Sequence, residues 1–471
     1  MSNLVKDAWP GNANAPSGAE QGFNWPMLIV LTVFVSLVFH NPAGHDTFWH
    51  IATGQWILTH KQVPVQDVFS HTMYGHPWIA HEWLSEVILA VVYDTGGWPG
   101  LTILVALVYS LTLALIMNYL LKYMEPLRAL ELLVLTFALT AIRIIARPHL
   151  LAMPVMVLWV LKLTQANDNN ENPSLWLPPL MCVWANLHGG FTLGIALAVV
   201  FAAEAVFNAK DRSERMATAL KWGIFVALSV GFAALTPNGI EGLLFTLHVF
   251  NMPYVLSHID EWLSPDFHKV QALEIFLLLL IVIALIRGLK LPPFRVLLLA
   301  GFVHLALKHV RYSGLLGLLV PVILAKPLAE QLRDRGSDAT GDSRLDRMFR
   351  RLNRKATPGA LVVTVAGMVV GALAAIGIKD FDPGEEYTLK KAISAVQSKG
   401  VTGPVLNTYR FGGTLILSGI APFVDGRADM YGDEFIEQYV DAVNLVDSSA
   451  LPAVLNEYGI AWTVLSPGTP A

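Results

Sequence analysis

The sequence is poor in charge and nearly devoid of cysteine. Of 471 residues only 14% are Asp, Glu, Lys or Arg, and Cys182 is the single cysteine. One thiol excludes a disulfide framework and a thiolate metal site. A formal net charge of −4 excludes a broad basic face for nucleic acid. No stretch repeats at a fixed period. No A-x-A cleavage site follows the first apolar run, Trp25–Phe39, which therefore reads as a retained signal anchor. No G-x-G-x-x-G loop occurs after residue 379, so no nucleotide is assigned there.

What is present instead is apolar length. Hydrophobic residues make up 54% of the chain and the mean hydropathy is +0.52. Runs suited to crossing a bilayer fall near 25–40, 98–121, 129–143, 149–164, 174–187, 190–208, 219–236, 272–287, 294–309, 312–326 and 358–378. The expected fold class is an all-α polytopic membrane protein of about eleven transmembrane helices. Links on one side carry twenty Lys and Arg, nine of them in 326–357; those on the other side carry six. Positive-inside bias puts the richer set in the cytoplasm. On this reading 1–24 is a cytoplasmic segment and 25–378 the transmembrane domain. Outer loops 41–97 and 237–271 and the tail 379–471 face outward from the cytoplasmic (inner) membrane.

Three segments need separate treatment. Trp83–Tyr93 is apolar, and as a span it would make twelve crossings. Its eleven residues reach only roughly 16 Å, with Glu86 among them, so an interfacial or re-entrant helix is expected. RLDRMFRRLNRK in the 326–357 link is either an amphipathic helix on anionic headgroups or a solvated basic connector. In the tail, PVLNTY, GTLILSG, PFVDGR and AWTVLSP read as short buried strands, with helices over 387–398, 433–445 and 449–458. This alternation suggests a small extracytoplasmic α/β domain.

The chemistry gathers on the outer side. Seven of fourteen His, from His40 to His81, fall in the first outer loop, several beside Trp. Amphipathic rings suit a headgroup region, which accounts for many of them. Asp46 is different, since a carboxylate near the hydrocarbon boundary loses solvation and gains basicity. If 46–58 is helical, Asp46 and His50 share a face; alternatively Asp46 is simply an N-cap. Glu82, Arg143, Arg147, His188, Asp260, Glu261, Lys308 and Arg311 map to the same rim, and Arg427 sits in the tail's DGRADMYGDEF block. The basic residues either pair with Asp260 or Glu261, or bind an anionic ligand through the planar guanidinium fork. Arg427 either faces the cavity and helps close it, or belongs to a turn before a helix in which Asp433 occupies the N-terminus. A carboxylate base with cations at an outer cavity fits transfer of a sugar from a lipid-linked phosphate. A divalent metal on Asp46 and His50 is a subsidiary alternative.

One short N-terminal segment, one span, then Asp in a long outer loop resembles the GT-C superfamily of polytopic glycosyltransferases. The blocks DTFWHIATGQWI, WIAHEWLSEV, WANLHGGF and FVDGRADMYGDEF look like those of a bacterial branch of such proteins. The resemblance implies a polyprenyl-phosphate-linked sugar as donor and a glycan, lipid or protein as acceptor. It also implies that Asp46 is the catalytic base, with Arg311 or Lys308 at the phosphate. The sequence departs from many members in following Asp46 with Thr47 rather than a second acid, and in carrying HPWIAHEWL where several have a Pro-Pro-Leu-type stretch. A scaffold subunit of an envelope complex, or a transporter of lipid-linked substrate, would show the same architecture.

Overall fold

The computed structural model describes residues 21–248, 251–334 and 344–471. Most of the 1–24 segment and the middle of the 326–357 link therefore lie outside the described residues.

Each of the eleven apolar stretches carries a helix. In chain order the helices are α1 Trp25–Leu37, α2 His45–His60, α3 Trp83–Leu120, α4 Pro126–Thr140 and α5 Pro148–Asp168. Then come α6 Pro178–Leu187, α7 Phe191–Asn208, α8 Arg212–Ala233, α9 Gly239–His248, α10 Pro253–His258 and α11 Ala272–Arg287. After these follow α12 Pro293–Lys308, α13 Ser313–Asp334, α14 Arg344–Leu352 and α15 Pro358–Ile378. Many begin on proline, as α4, α5, α6, α12 and α15 do. There the missing N–H costs nothing and the fixed φ already suits the helix. Among the described residues six helices are long and apolar enough to cross a membrane: Trp83–Leu120, Pro148–Asp168, Phe191–Asn208, Arg212–Ala233, Val310–Gln331 and Pro358–Ile378. α1 and α11 are apolar but shorter. The 174–187 stretch yields only the ten residues of α6, roughly 15 Å of helix.

The Trp83–Tyr93 segment joins the span that follows it, but the joint is sharp. Gly97 sits at φ 58, ψ −150 inside α3, a conformation open to glycine and strained for other residues. A Cβ on Gly100 would lie 2.9 Å from the Val92 carbonyl oxygen. Eight residues of unbroken helix would separate them by about 12 Å, so the chain reverses at Gly97. The helix before the break runs from Trp83 to this point, somewhat longer than the apolar run alone suggests.

The RLDRMFRRL block is helical. α14 rests on the start of α1, with the Phe349 ring stacked on Trp25 at 5.1 Å and Trp25 Nε1 donating to the Phe349 carbonyl at 3.1 Å. Beside it β1 (Gln21–Gly22) pairs in parallel with β2 (Lys355–Ala356).

The tail departs from the expected strand pattern. Only β3 (Val405–Asn407) and β4 (Trp462–Val464) form strands, parallel, with Val405 opposite Trp462. GTLILSG is instead helix α17, Gly412–Leu417, and PFVDGR contains no strand. A run of four to six apolar residues carries no period, so burial alone does not choose between strand and helix. Helices α16 Lys390–Ser398, α18 Ala428–Asn444 and α19 Ala450–Glu457 also lie in the tail, with one short helical turn at Glu385–Thr388. Its core of Phe423, Phe435, Tyr439 and Val454 also takes in Met252 and Val255 from the 237–271 segment. Asp433, expected at a helix start, follows the break at Gly432 in α18. Its carboxylate accepts from the Tyr254 and Val255 amides at 3.0 and 2.9 Å, the first turn of α10.

Candidate functional site

α2 starts one residue before Asp46. Gly44 is its N-cap, with extended φ −129 and ψ 158, and the Gly44 N–H donates to Thr47 Oγ1 at 3.1 Å. The capping interpretation of Asp46 therefore fails: Asp46 lies in the first helical turn, where the helix dipole favours a carboxylate. The Ala146 N–H donates to the Pro42 carbonyl at 2.8 Å, docking the 141–147 link onto the approach to α2. That contact carries Arg147, just before the Pro148 start of α5, to Asp46.

The result is a chain of charges. Arg147 Nη2 lies 2.5 Å from Asp46 Oδ2, and Arg147 Nη1 donates to Glu261 Oε1. Arg143 Nη1 stands 3.7 Å from the same Glu261 oxygen. Asp46, Arg147 and Glu261 side chains keep 20–28% of their exposure, so the chain is half-open to solvent. Burial pushes the Asp46 carboxyl up, with Arg147 opposing the rise. Burial would raise Glu261 as well, but Arg147, Arg311 and Arg143 bring it down to about 2. Burial would lower Arg147, and Asp46 and Glu261 reverse that and raise it. Asp46 is thus the more basic of the two carboxylates. On its other side the backbone of Gly426 approaches so closely that a Cβ there would lie 2.2 Å from Asp46 Oδ1; only glycine fits.

The cations divide. Arg143 and Arg147 pair with Glu261, as the ion-pair interpretation expects. Arg311 instead lies over the Trp262 ring at 4.2 Å from its centroid, with no carboxylate within ion-pair distance among the described residues. Its planar face is held by the ring, and its N–H edge makes no hydrogen bond among the described residues. Lys308 is exposed at the end of α12, and Asp260 is exposed beside Glu261, outside the charge chain. Arg427 is 1% exposed. It is bonded to Asp67 at 2.6 Å and to both Asp425 oxygens at 2.6 and 2.8 Å, and it lies over the Phe69 and Trp78 rings. Buried and held by three bonds to Asp67 and Asp425, Arg427 is a strut between the 41–97 segment and the tail, which corrects the expectation that it faces a cavity.

A second centre lies one helical turn along α2. His50 Nδ1 sits 3.2 Å from Glu86 Oε1 and its Nε2 3.9 Å from Glu82 Oε2. His81 and His188 approach Glu82 Oε1 at 3.6 and 3.5 Å. Burial would raise Glu82, but His81 and His188 hold it well below the usual carboxylate range. Burial would lower His81, and Glu82 lifts it to about 9. Burial lowers His50 to about 3 and His188 to about 4, against the pull of Glu82. His50 thus serves Glu86 and Glu82 as a neutral ring; it makes no bond to Asp46. Glu82 and His188 were legible as rim residues, but Glu86 as the partner of His50, 36 positions away, was not, since a contact between residues so far apart leaves no periodic signal. Among the described residues no group of three or more His, Cys, Asp or Glu is arranged to hold a metal ion.

No protein-family model matches the sequence, and no curated protein is similar to it. Solved structures are. The archaeal oligosaccharyltransferase AglB from Archaeoglobus fulgidus, in complex with an inhibitory peptide and a dolichol-phosphate, aligns at TM-score 0.54 and 10% identity. The alignment covers 93% of this chain and 69% of that one. The apo form of the Archaeoglobus fulgidus oligosaccharyltransferase aligns at TM-score 0.48 and 10% identity, over 92% and 68%. By fold, then, this helical chain is similar to an archaeal oligosaccharyltransferase.

Proposed function

We propose that the protein is a membrane glycosyltransferase that moves a sugar from a polyprenyl-phosphate donor to an acceptor at the outer face of the cytoplasmic membrane. The observation that carries this reading is the half-open charge chain. A carboxylate of raised basicity, Asp46, shares one end of the bundle with Arg143 and Arg147, and with an Arg311 that has no carboxylate within ion-pair distance among the described residues. A fold similar to a protein solved with a dolichol-phosphate supports the donor class.

In the reaction, Asp46 takes the proton of the acceptor while the acceptor oxygen forms a bond to the sugar's anomeric carbon. The bond from that carbon to the phosphate oxygen breaks, and its electron pair leaves with the phosphate. Arg311 binds that phosphate and stabilises the charge it gains. Arg147 orients Asp46 through its ion pair. A glycan, a lipid or a protein serves as acceptor, and the outer orientation follows from the charge bias of the links.

The test is release of polyprenyl phosphate by the protein in nanodiscs, across a panel of polyprenyl-phosphate sugars and acceptors. Release should depend on both donor and acceptor and should disappear in Asp46→Asn. Donor bound without release from any member of the panel, or release unchanged in Asp46→Asn, would leave a scaffold or a transporter as the better reading.

A further inference from the structure

The opposite end of the bundle holds a polar cavity of about 170 Å³ that the charge chain does not reach. It lies where the chain leaves its helices. Asp168 ends α5, Asn208 ends α7, Pro292 precedes α12, and Lys326 and Glu330 are on the last turns of α13. α5 has 21 residues from its start beside Arg147 to Asp168, roughly 30 Å, so the two sites lie about a hydrocarbon core apart.

Arg295 anchors the cavity. Its Nε donates to Glu204 at 2.9 Å, and its Nη2 donates to Asp168 Oδ1 at 3.0 Å. The Asp168 side chain is 7% exposed, and its other oxygen, Oδ2, is buried with no hydrogen-bond partner among the described residues. Asn167 Oδ1 beside it is likewise buried and without a partner. Two orphan acceptors therefore meet at one polar cavity, and each would cost about 1–3 kcal/mol if nothing donated to it. Three carboxylates line the cavity, Asp168, Glu204 and exposed Glu330, against two cations, Arg295 and Lys326. The imbalance and the vacant acceptors call for a ligand that is positively charged and donates N–H. A hard metal ion would need about six oxygen ligands, and the described residues offer no such group.

We propose that this cavity binds the primary ammonium of an aminophospholipid headgroup. Asp168 Oδ2 and Asn167 Oδ1 accept two of its three N–H bonds, and Glu330 at the rim supplies further charge. Lys326, whose ammonium already donates to the Asp168 carbonyl, turns its remaining N–H groups to the headgroup phosphate. A trimethylated ammonium has the charge but no N–H, so it leaves both acceptors unpaired. That makes the site selective for a primary amine.

The experiment is native mass spectrometry of the whole protein, delipidated in detergent and titrated with lipids of identical acyl chains. Phosphatidylethanolamine should bind about tenfold or more tightly than phosphatidylcholine or phosphatidylglycerol. Glu330→Gln, at an exposed position, should keep the fold and weaken phosphatidylethanolamine about threefold, while Asp168→Asn should erase the preference. Equal binding of phosphatidylethanolamine and phosphatidylcholine would overturn the proposal and leave water as the occupant. Phosphoethanolamine without acyl chains binding as tightly as the lipid would overturn the lipid assignment in favour of a soluble amine.

Discussion

Each end of the helix bundle places an arginine between two carboxylates, and the two triads differ in their access to water. Arg295, Asp168 and Glu204 keep 2–7% of their side-chain exposure, whereas Arg147, Asp46 and Glu261 keep 20–28%. A closed triad cannot exchange partners without stranding a charge in a dry site. A half-open one can release a carboxylate oxygen already paired with its arginine, because water screens the intermediate arrangement. The same three residue types thus form an anchor at one end and a candidate working site at the other.

The sharpest way to break that comparison is Asp46→Asn, which keeps the shape and removes nearly all proton affinity. Transfer should fall about 10²–10⁴-fold, as for a lost general base, with the amount of folded protein unchanged; wild-type turnover would remove Asp46 from the chemistry. Next is Arg295→Ala, which leaves Asp168 and Glu204 buried without their cation. It should cost about 3–5 kcal/mol, read as loss of the folded peak in size-exclusion chromatography. Arg147→Ala should still elute as folded protein while failing in transfer. Equal loss of folded protein in both variants would erase the distinction between anchor and site.

A smaller effect sharpens the role of the unpaired cation. Arg311→Ala removes a charge-assisted contact to phosphate of about 1.5–3 kcal/mol, so polyprenyl-phosphate affinity should drop at least about tenfold. An unchanged affinity would mean that the guanidinium only packs on Trp262. The smallest effect concerns pH. Burial opposes protonation of His81 but Glu82 overcomes it, lifting His81 from 6.5 to about 9. The pair therefore contributes stability that is complete below pH 6.5 and is lost as pH rises through about 9. Melting temperature should fall between pH 7 and pH 10, and Glu82→Gln should flatten that fall; equal slopes would show that Glu82 does not govern His81.

The helices were legible because apolar length is a local property, and each of the eleven runs marks one. The break at Gly97 was not, since a glycine pair in an apolar stretch does not announce its φ. In the tail, GTLILSG has strand-like composition but packs as helix α17 against α2, a tertiary choice that overrides propensity. Asp46, Glu82 and the rim arginines were identifiable as polar residues at the ends of apolar runs. Their pairing was not, because Arg147 meets Asp46 only after the 141–147 link docks on Pro42. Arg427 misled for a related reason: from the sequence an arginine in a charged block looks available, and only its burial with Asp425 and with Asp67, 360 positions away, consumes it.

That partner has a consequence for how the protein is made. Asp67 leaves the ribosome 360 residues before Arg427, a delay of roughly 20–70 s at ordinary synthesis rates. Through that interval the first outer loop holds a carboxylate built for burial but lacking the arginine that permits it. Asp67 gains its arginine only when the tail arrives, and the same segment sets Gly426 against Asp46. The backbone wall that Gly426 forms beside Asp46 is thus the last part of the candidate site to be synthesised.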